Sequence, residues 1–93
     1  MNEVLKALSH PTRRKVLAML KNGPLASGEI AAAFDVAWPT MTMHLSTLKD
    51  AGLVSAERDG TSIRYRLNAS VMEETAAALL DLVGVGRKER RKS

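Results

Sequence analysis

The sequence predicts a mainly α fold with one small β-hairpin. Apolar residues recur at helical spacing through most of the chain. Two alternating runs, "LVSAER" and "TSIRYRL", flank Asp59-Gly60, a strong short hairpin signal. Just before that hairpin, two short helical segments are separated only by Asp35-Val36-Ala37.

Taken in order, Asn2 to Leu8 reads as a short helix with Val4, Leu5 and Leu8 on one side. Ser9-His10-Pro11 breaks it, and Pro11 suits the first turn of a second helix, where its missing N–H is harmless. That helix runs to about Lys21 with Val16, Leu17 and Leu20 inward, and Gly23-Pro24 stops it. Ser27 is the expected N-cap of a third helix through Phe34, with Ile30 and Phe34 inward. A fourth helix starts at Trp38-Pro39; Met41, Leu45 and Leu48, at i, i+4 and i+7, form its buried stripe, and Gly52 ends it.

A two-residue turn at Asp59-Gly60 pairs Arg58 with Thr61, Ala56 with Ile63 and Val54 with Tyr65. This puts Val54, Ala56, Ile63 and Tyr65 on one face, and Ser55, Glu57, Ser62, Arg64 and Arg66 on the other. Asn68 is the expected cap of a last helix to Val83, whose apolar stripe is Met72, Ala76, Leu79, Leu80 and Val83. Residues 1–86 are expected to form one domain and residues 87–93 a disordered basic tail.

The chain of 93 residues has a net charge of +4, which suggests an anionic partner. The tail "RKERRKS" carries all of that excess, and the rest of the chain is neutral. A case for nucleic acid must therefore rest on where the basic groups sit. With no cysteine there is no disulfide, thiolate metal site or redox thiol. No signal-peptide pattern is present, and the apolar run Ala76 to Leu80 is far too short for a bilayer, so the expected compartment is the cytoplasm.

Two short helices, a tight turn and a hairpin follow the order of a winged helix-turn-helix. The second helix of such a pair can enter the major groove of DNA. No acidic residue occurs from Val36 to Lys49, as a surface near phosphates requires. Thr42 and Ser46 can exchange hydrogen bonds with base edges, Met43 can lie on a thymine methyl, and Lys49 can reach a phosphate or guanine. Arg58, Arg64 and Arg66 cluster about the hairpin, within reach of the flanking backbone or minor groove. Arg14, Lys15 and Lys21 lie on the outer side of the second helix.

"HPTRRKVLAML", "WPTMTMHLSTLKDAGLV" and "RDGTSIRYRL" resemble the ArsR/SmtB family of small dimeric bacterial repressors, and most closely its metal-independent autorepressor (SdpR-like) subgroup. The resemblance runs to about Leu67. It implies a homodimer bound to a palindromic operator, with Trp38 to Lys49, including Pro39 and Thr40, as recognition helix and Arg58 to Arg64, including Thr61, as wing. It also implies dimerisation through the first and last helices, hence through Val4, Leu5, Leu8, Met72, Ala76, Leu79, Leu80 and Val83. Three departures stand out. Neither of the usual metal-ligand sets of the family is present, so no metal or other cofactor is expected. Ala37 stands where a capping Ser is common, and Met43 where a basic residue or His is common.

Other features have simpler readings. A lone His44 beside the buried stripe reads as a core residue with one hydrogen bond, because one imidazole is a poor metal site. His10 reads as a helix cap, Met41 as core and Arg13 as half of a structural ion pair. Trp38 reads equally well as a stacking group or as a lid on the helix start. No catalytic spacing or phosphate loop occurs, so no enzyme is expected. A rival role is a winged-helix module that binds another protein, with only non-specific DNA affinity. An inducer, small molecule or protein, is not legible in the sequence.

Overall fold

The computed structural model describes residues 1–84. The basic segment 87–93, with the expectation placed on it, lies outside the described residues. Five helices and three strands follow in the order α1 (Asn2–Leu8), α2 (Pro11–Leu20), β1 (Leu25–Ala26), α3 (Ser27–Ala31), α4 (Trp38–Asp50), β2 (Val54–Asp59), β3 (Ser62–Leu67) and α5 (Ala69–Val83).

Local chemistry explains most boundaries. His10 is the N-cap of α2, and its Nδ1 accepts the Thr12 N–H over 3.1 Å, with Pro11 in the first turn. The last carbonyls of α1 have no partner within their own helix, and arginines of α2 supply one. Arg13 Nε donates to the Ala7 carbonyl over 2.7 Å and Arg14 Nη1 to that of Leu8 over 2.7 Å. Among the described residues Arg13 therefore forms no ion pair, contrary to the sequence expectation; its planar fork satisfies helix-end carbonyls instead.

Helix α3 is shorter than expected, ending at Ala31, and its N-cap is Ala26 rather than Ser27. The cause is Glu29, whose carboxylate accepts the Ala26 N–H over 2.8 Å and so fixes the start one residue earlier. Asn68 occupies the N-cap position of α5, yet its side chain makes no cap. Its amide donates instead to the Gly52 carbonyl over 3.0 Å, tying the start of α5 to the end of α4.

The strands form one antiparallel sheet in the order β1-β3-β2. The hairpin register differs from expectation: Arg58 faces Ile63, Ala56 faces Tyr65, and Asp59 faces Ser62. The loop is thus Gly60-Thr61. A tight turn centred on Asp59-Gly60 would need positive φ at its first residue, Asp59, which does not have it; Gly60, at φ +67°, does, and so takes that first place. Since the offset is two residues, each side chain keeps its expected face. Strand β1 pairs Leu25 with Tyr65; a two-residue strand is too short to show alternation in sequence.

The core is Val16, Leu17 and Leu20 of α2, Ile30 of α3, Met41, Leu45 and Leu48 of α4, and Leu53 and Val54, completed by Val4 and Ala7 of α1. Each large aliphatic side chain so buried contributes about 1.5–3 kcal/mol. Phe34, Tyr65 and Leu67 pack against this cluster from its edges, as do Val71 and Met72 from the first turns of α5.

Candidate nucleic-acid interface

Helix α4 turns two unlike faces to its surroundings. Met41, His44, Leu45 and Leu48 are buried. Thr42, Met43, Ser46 and Lys49 are exposed, as are Trp38, Pro39 and Thr40 at the N-terminus. Each residue turns the helix by about 100°, so Thr42, Ser46 and Lys49 share one line along the outer surface and Met43 flanks it. Met43 is 54% exposed and Trp38 52%. Burial of one stripe at close to zero exposure fixes the roll of α4, which in turn fixes the direction of its outer groups.

The buried side of α4 is tied to α1 and α2 by a polar cluster. Arg13 Nη1 lies 3.1 Å from Nδ1 of His44, while the same guanidinium holds the carbonyls of Ala7 and Lys6. A guanidinium can only donate, so Nδ1 of His44 is the acceptor and its ring is neutral with the proton on Nε2. Burial, then the neighbouring His10 and Arg13, lowers the His44 pKa below its ordinary value. The His10 and His44 ring centroids are 4.4 Å apart. His44 is thus a buried, hydrogen-bonded residue and His10 a cap, as their sequence positions suggested.

The start of α4 is open. Ala37 has the extended backbone of an N-cap, φ −66° and ψ 147°, but no side chain caps the helix. Pro39 has no N–H, so the nearby donors belong to Trp38 and Thr40.

The hairpin distributes its arginines unevenly. Arg58, Thr61 and Arg64 lie at or beside the tip, with Arg58 and Arg64 on opposite faces. Arg64 makes a 3.4 Å ion pair with Asp59 and faces Glu57 across the ribbon, which holds its side chain near the turn. Arg66 faces Ser55 at the base of the hairpin and lies beside Lys21 and Pro24. Four steps along the strand separate it from Ser62, roughly 13 Å. The expected cluster of three arginines is therefore a pair at the tip and one at the base, because strand rise spreads what the sequence sets close together. On α2, Lys15 is held with its ammonium 5.3 Å from the centre of the Phe34 ring.

A second surface is apolar. In α5, Val71 and Met72 are half-buried and Thr75 is buried, whereas Ala76, Leu79, Leu80 and Val83 are exposed. The richer apolar stripe thus faces away from the protomer. In α1, Leu5 is exposed and Leu8 half-buried, but Val4 is only 8% exposed and belongs to the protomer's own core. Leu82, at 83% exposure, extends this surface and was missed in the sequence, because helical spacing sets it off the stripe. The apolar residues on both sides of Asp81 in "LLDLV" were the available signal.

Among the described residues no group of three His, Cys, Asp or Glu could hold a metal ion, and no helix is long and apolar enough to cross a membrane. Residues 8–55 match a family described as a helix-turn-helix domain. The chain is 41% identical over 86 residues to the transcriptional repressor SdpR of Bacillus subtilis (strain 168), covering 92% of this chain and 96% of that protein. It is 36% identical over 78 residues to a biofilm growth-associated repressor of Agrobacterium fabrum, covering 84% of this chain and 63% of that one. The solved structure of an ArsR family transcriptional regulator superposes with a TM-score of 0.84 at 29% identity, covering 99% of this chain and 96% of that one.

Proposed function

The chain belongs to the ArsR/SmtB family of winged helix-turn-helix repressors, in its SdpR-like branch, and from that premise we propose that it reads a palindromic operator as a homodimer. It is a sequence-specific DNA-binding transcriptional repressor. The observation that carries the detailed reading is the two-faced α4, with its acid-free outer line of Thr42, Ser46 and Lys49 above a buried stripe.

In the proposed complex each α4 lies in a major groove. Thr42 and Ser46 meet base edges, Met43 packs on a thymine methyl, and Lys49 reaches a phosphate or guanine. The uncapped helix start offers the Trp38 and Thr40 N–H groups to a phosphate, with Trp38 and Pro39 against the backbone. Arg58, Thr61 and Arg64 reach the flanking duplex from the hairpin, and Arg66 contributes from its base. The two protomers join through Leu5, Leu8, Met72, Ala76, Leu79, Leu80 and Val83, a surface that would otherwise leave a large apolar stripe in water. Half-site centres then lie about 10 bp apart or at a multiple of that.

The role is non-catalytic, needs no cofactor and is exercised in the cytoplasm. The gene controlled is proposed to be its own. A module that only binds proteins would show DNA affinity set by salt alone, and it is disfavoured by relatives named as repressors. The deciding experiment is binding of the purified chain to DNA from upstream of its own coding region in excess competitor DNA. Retention of a discrete footprint supports the reading; loss of all binding to the competitor removes autoregulation. Selection from random DNA then shows whether any sequence is preferred.

A further inference from the structure

Arg13 commits all three guanidinium nitrogens to neutral acceptors on two other helices. Nε and Nη2 donate to the carbonyls of Ala7 and Lys6 near the end of α1, over 2.7 and 3.2 Å, and Nη1 donates to Nδ1 of His44 in α4, over 3.1 Å. Two carboxylates, Glu3 of α1 and Asp50 of α4, line a groove of about 320 Å³ together with Arg13, yet among the described residues neither pairs with the guanidinium. Ala7 and His44 are both buried, so the fork spans two points that packing holds in place. Packed helices can shift against one another by about 1–2 Å. Three angle-dependent hydrogen bonds from one planar group oppose such a shift. His44 lies midway between Thr42 and Ser46 in the chain but on the opposite side of α4, so the fork holds the reading surface from behind.

We propose that Arg13 is a positioning residue for DNA reading: it fixes the offset of α4 from α1 and so selects the half-site spacing of the operator. This rests on the homodimer proposed above, in which α1 carries part of the contact between protomers. Two-fold symmetry doubles any displacement of α4 along the line joining the two copies. A shift of about 1.7 Å in each protomer then alters the separation of the two recognition helices by about 3.4 Å, the rise of one base pair. Arg13 touches no DNA in this arrangement and acts through His44.

The test uses the full chain. Selection from random duplex DNA supplies the half-sites, and a ladder of duplexes then carries them at the selected spacing and at one base pair more or less. The unaltered chain is expected to bind the selected spacing about tenfold tighter than its neighbours, the equivalent of one hydrogen bond from a charged donor. Arg13→Lys keeps the charge but lacks the fork, and His44→Leu fills the buried position without an acceptor. Each should bring that ratio below about threefold, whereas His44→Asn, which keeps an acceptor, should retain it. Base preference within a half-site, and the dimer seen in ultracentrifugation, should stay as they are in all three variants. Retention of the ratio in Arg13→Lys or His44→Leu, with affinity lowered evenly along the ladder, overturns the proposal and leaves Arg13 a structural group. So do its loss in His44→Asn, a changed base preference, or an unaltered chain indifferent to spacing. Circular dichroism reports the fold; should Arg13→Lys unfold, the two His44 variants decide by the same ratios. Selection that yields single, unpaired sites overturns the homodimer reading itself, and this proposal with it.

Discussion

Arg13 and His44 lie 31 residues apart in the chain, and the Arg13 Nη1 donates to the His44 Nδ1 over 3.1 Å. Through the same guanidinium, the carbonyl end of α1 is coupled to the buried face of α4. One side chain thus links a helix proposed for dimer contact to the helix proposed to read DNA.

That link sets a pH dependence. The folded protein lowers the His44 pKa, so its unfolded chain, near 6.5, binds the proton more readily. The stabilisation from neutral His44 is fully present above about pH 6.5 and is lost as pH falls through the depressed folded value. Chemical denaturation at a series of pH values should show stability falling with acid through this window. His44→Asn, which keeps an acceptor near the Nδ1 position but does not titrate, should flatten the slope. An unchanged slope would assign the dependence to other groups.

Ala37 has the backbone of a helix cap without a capping oxygen. Ala37→Ser gives Thr40 an acceptor for its N–H and should add about 1 kcal/mol, or roughly 4–8 °C in Tm for a domain of this size. A thermal melt without gain would mean that the Thr40 N–H is already satisfied.

Leu79 is 41% exposed, so a charge there leaves the protomer core intact. Leu79→Asp should sediment as a monomer with native helix content and bind operator DNA far more weakly. A stable dimer from this variant would place the contact elsewhere.

Thr42 can be tested with an almost isosteric change. Thr42→Val removes only the hydroxyl from an exposed position. Operator affinity should drop about fivefold, the loss of a hydrogen bond worth about 1 kcal/mol, while affinity for unrelated DNA stays level. Parallel losses on both DNAs would show that Thr42 reads no base.

The basic segment 87–93 carries five Lys/Arg and one Glu. Deleting it should make the salt dependence of binding shallower, by about 0.9 in log–log slope for each phosphate that is no longer neutralised, and leave sequence preference unchanged. An altered preference measured by selection from random DNA would assign the segment a role in readout.

By itself the sequence determined the helices, the hairpin and the two faces of α4. These are local matters: a period of 3.6 or 2 in apolar residues, Pro11 and Pro39 near helix starts, and Gly52 and Gly60 at turns. Even the face assignment in the hairpin held when the register did not, because an offset of two residues preserves side-chain direction. The tertiary structure decided what required partners distant in the chain. Arg13 found carbonyls and an imidazole rather than a carboxylate, and Asn68 found the Gly52 carbonyl rather than its own helix. Strand β1 exists because β3 offers it an edge, Val4 is drawn into the core, and strand rise sets Arg66 apart from the tip. A hydrogen-bonding group takes whichever partner the packed chain brings within about 3 Å, and sequence spacing does not measure that distance.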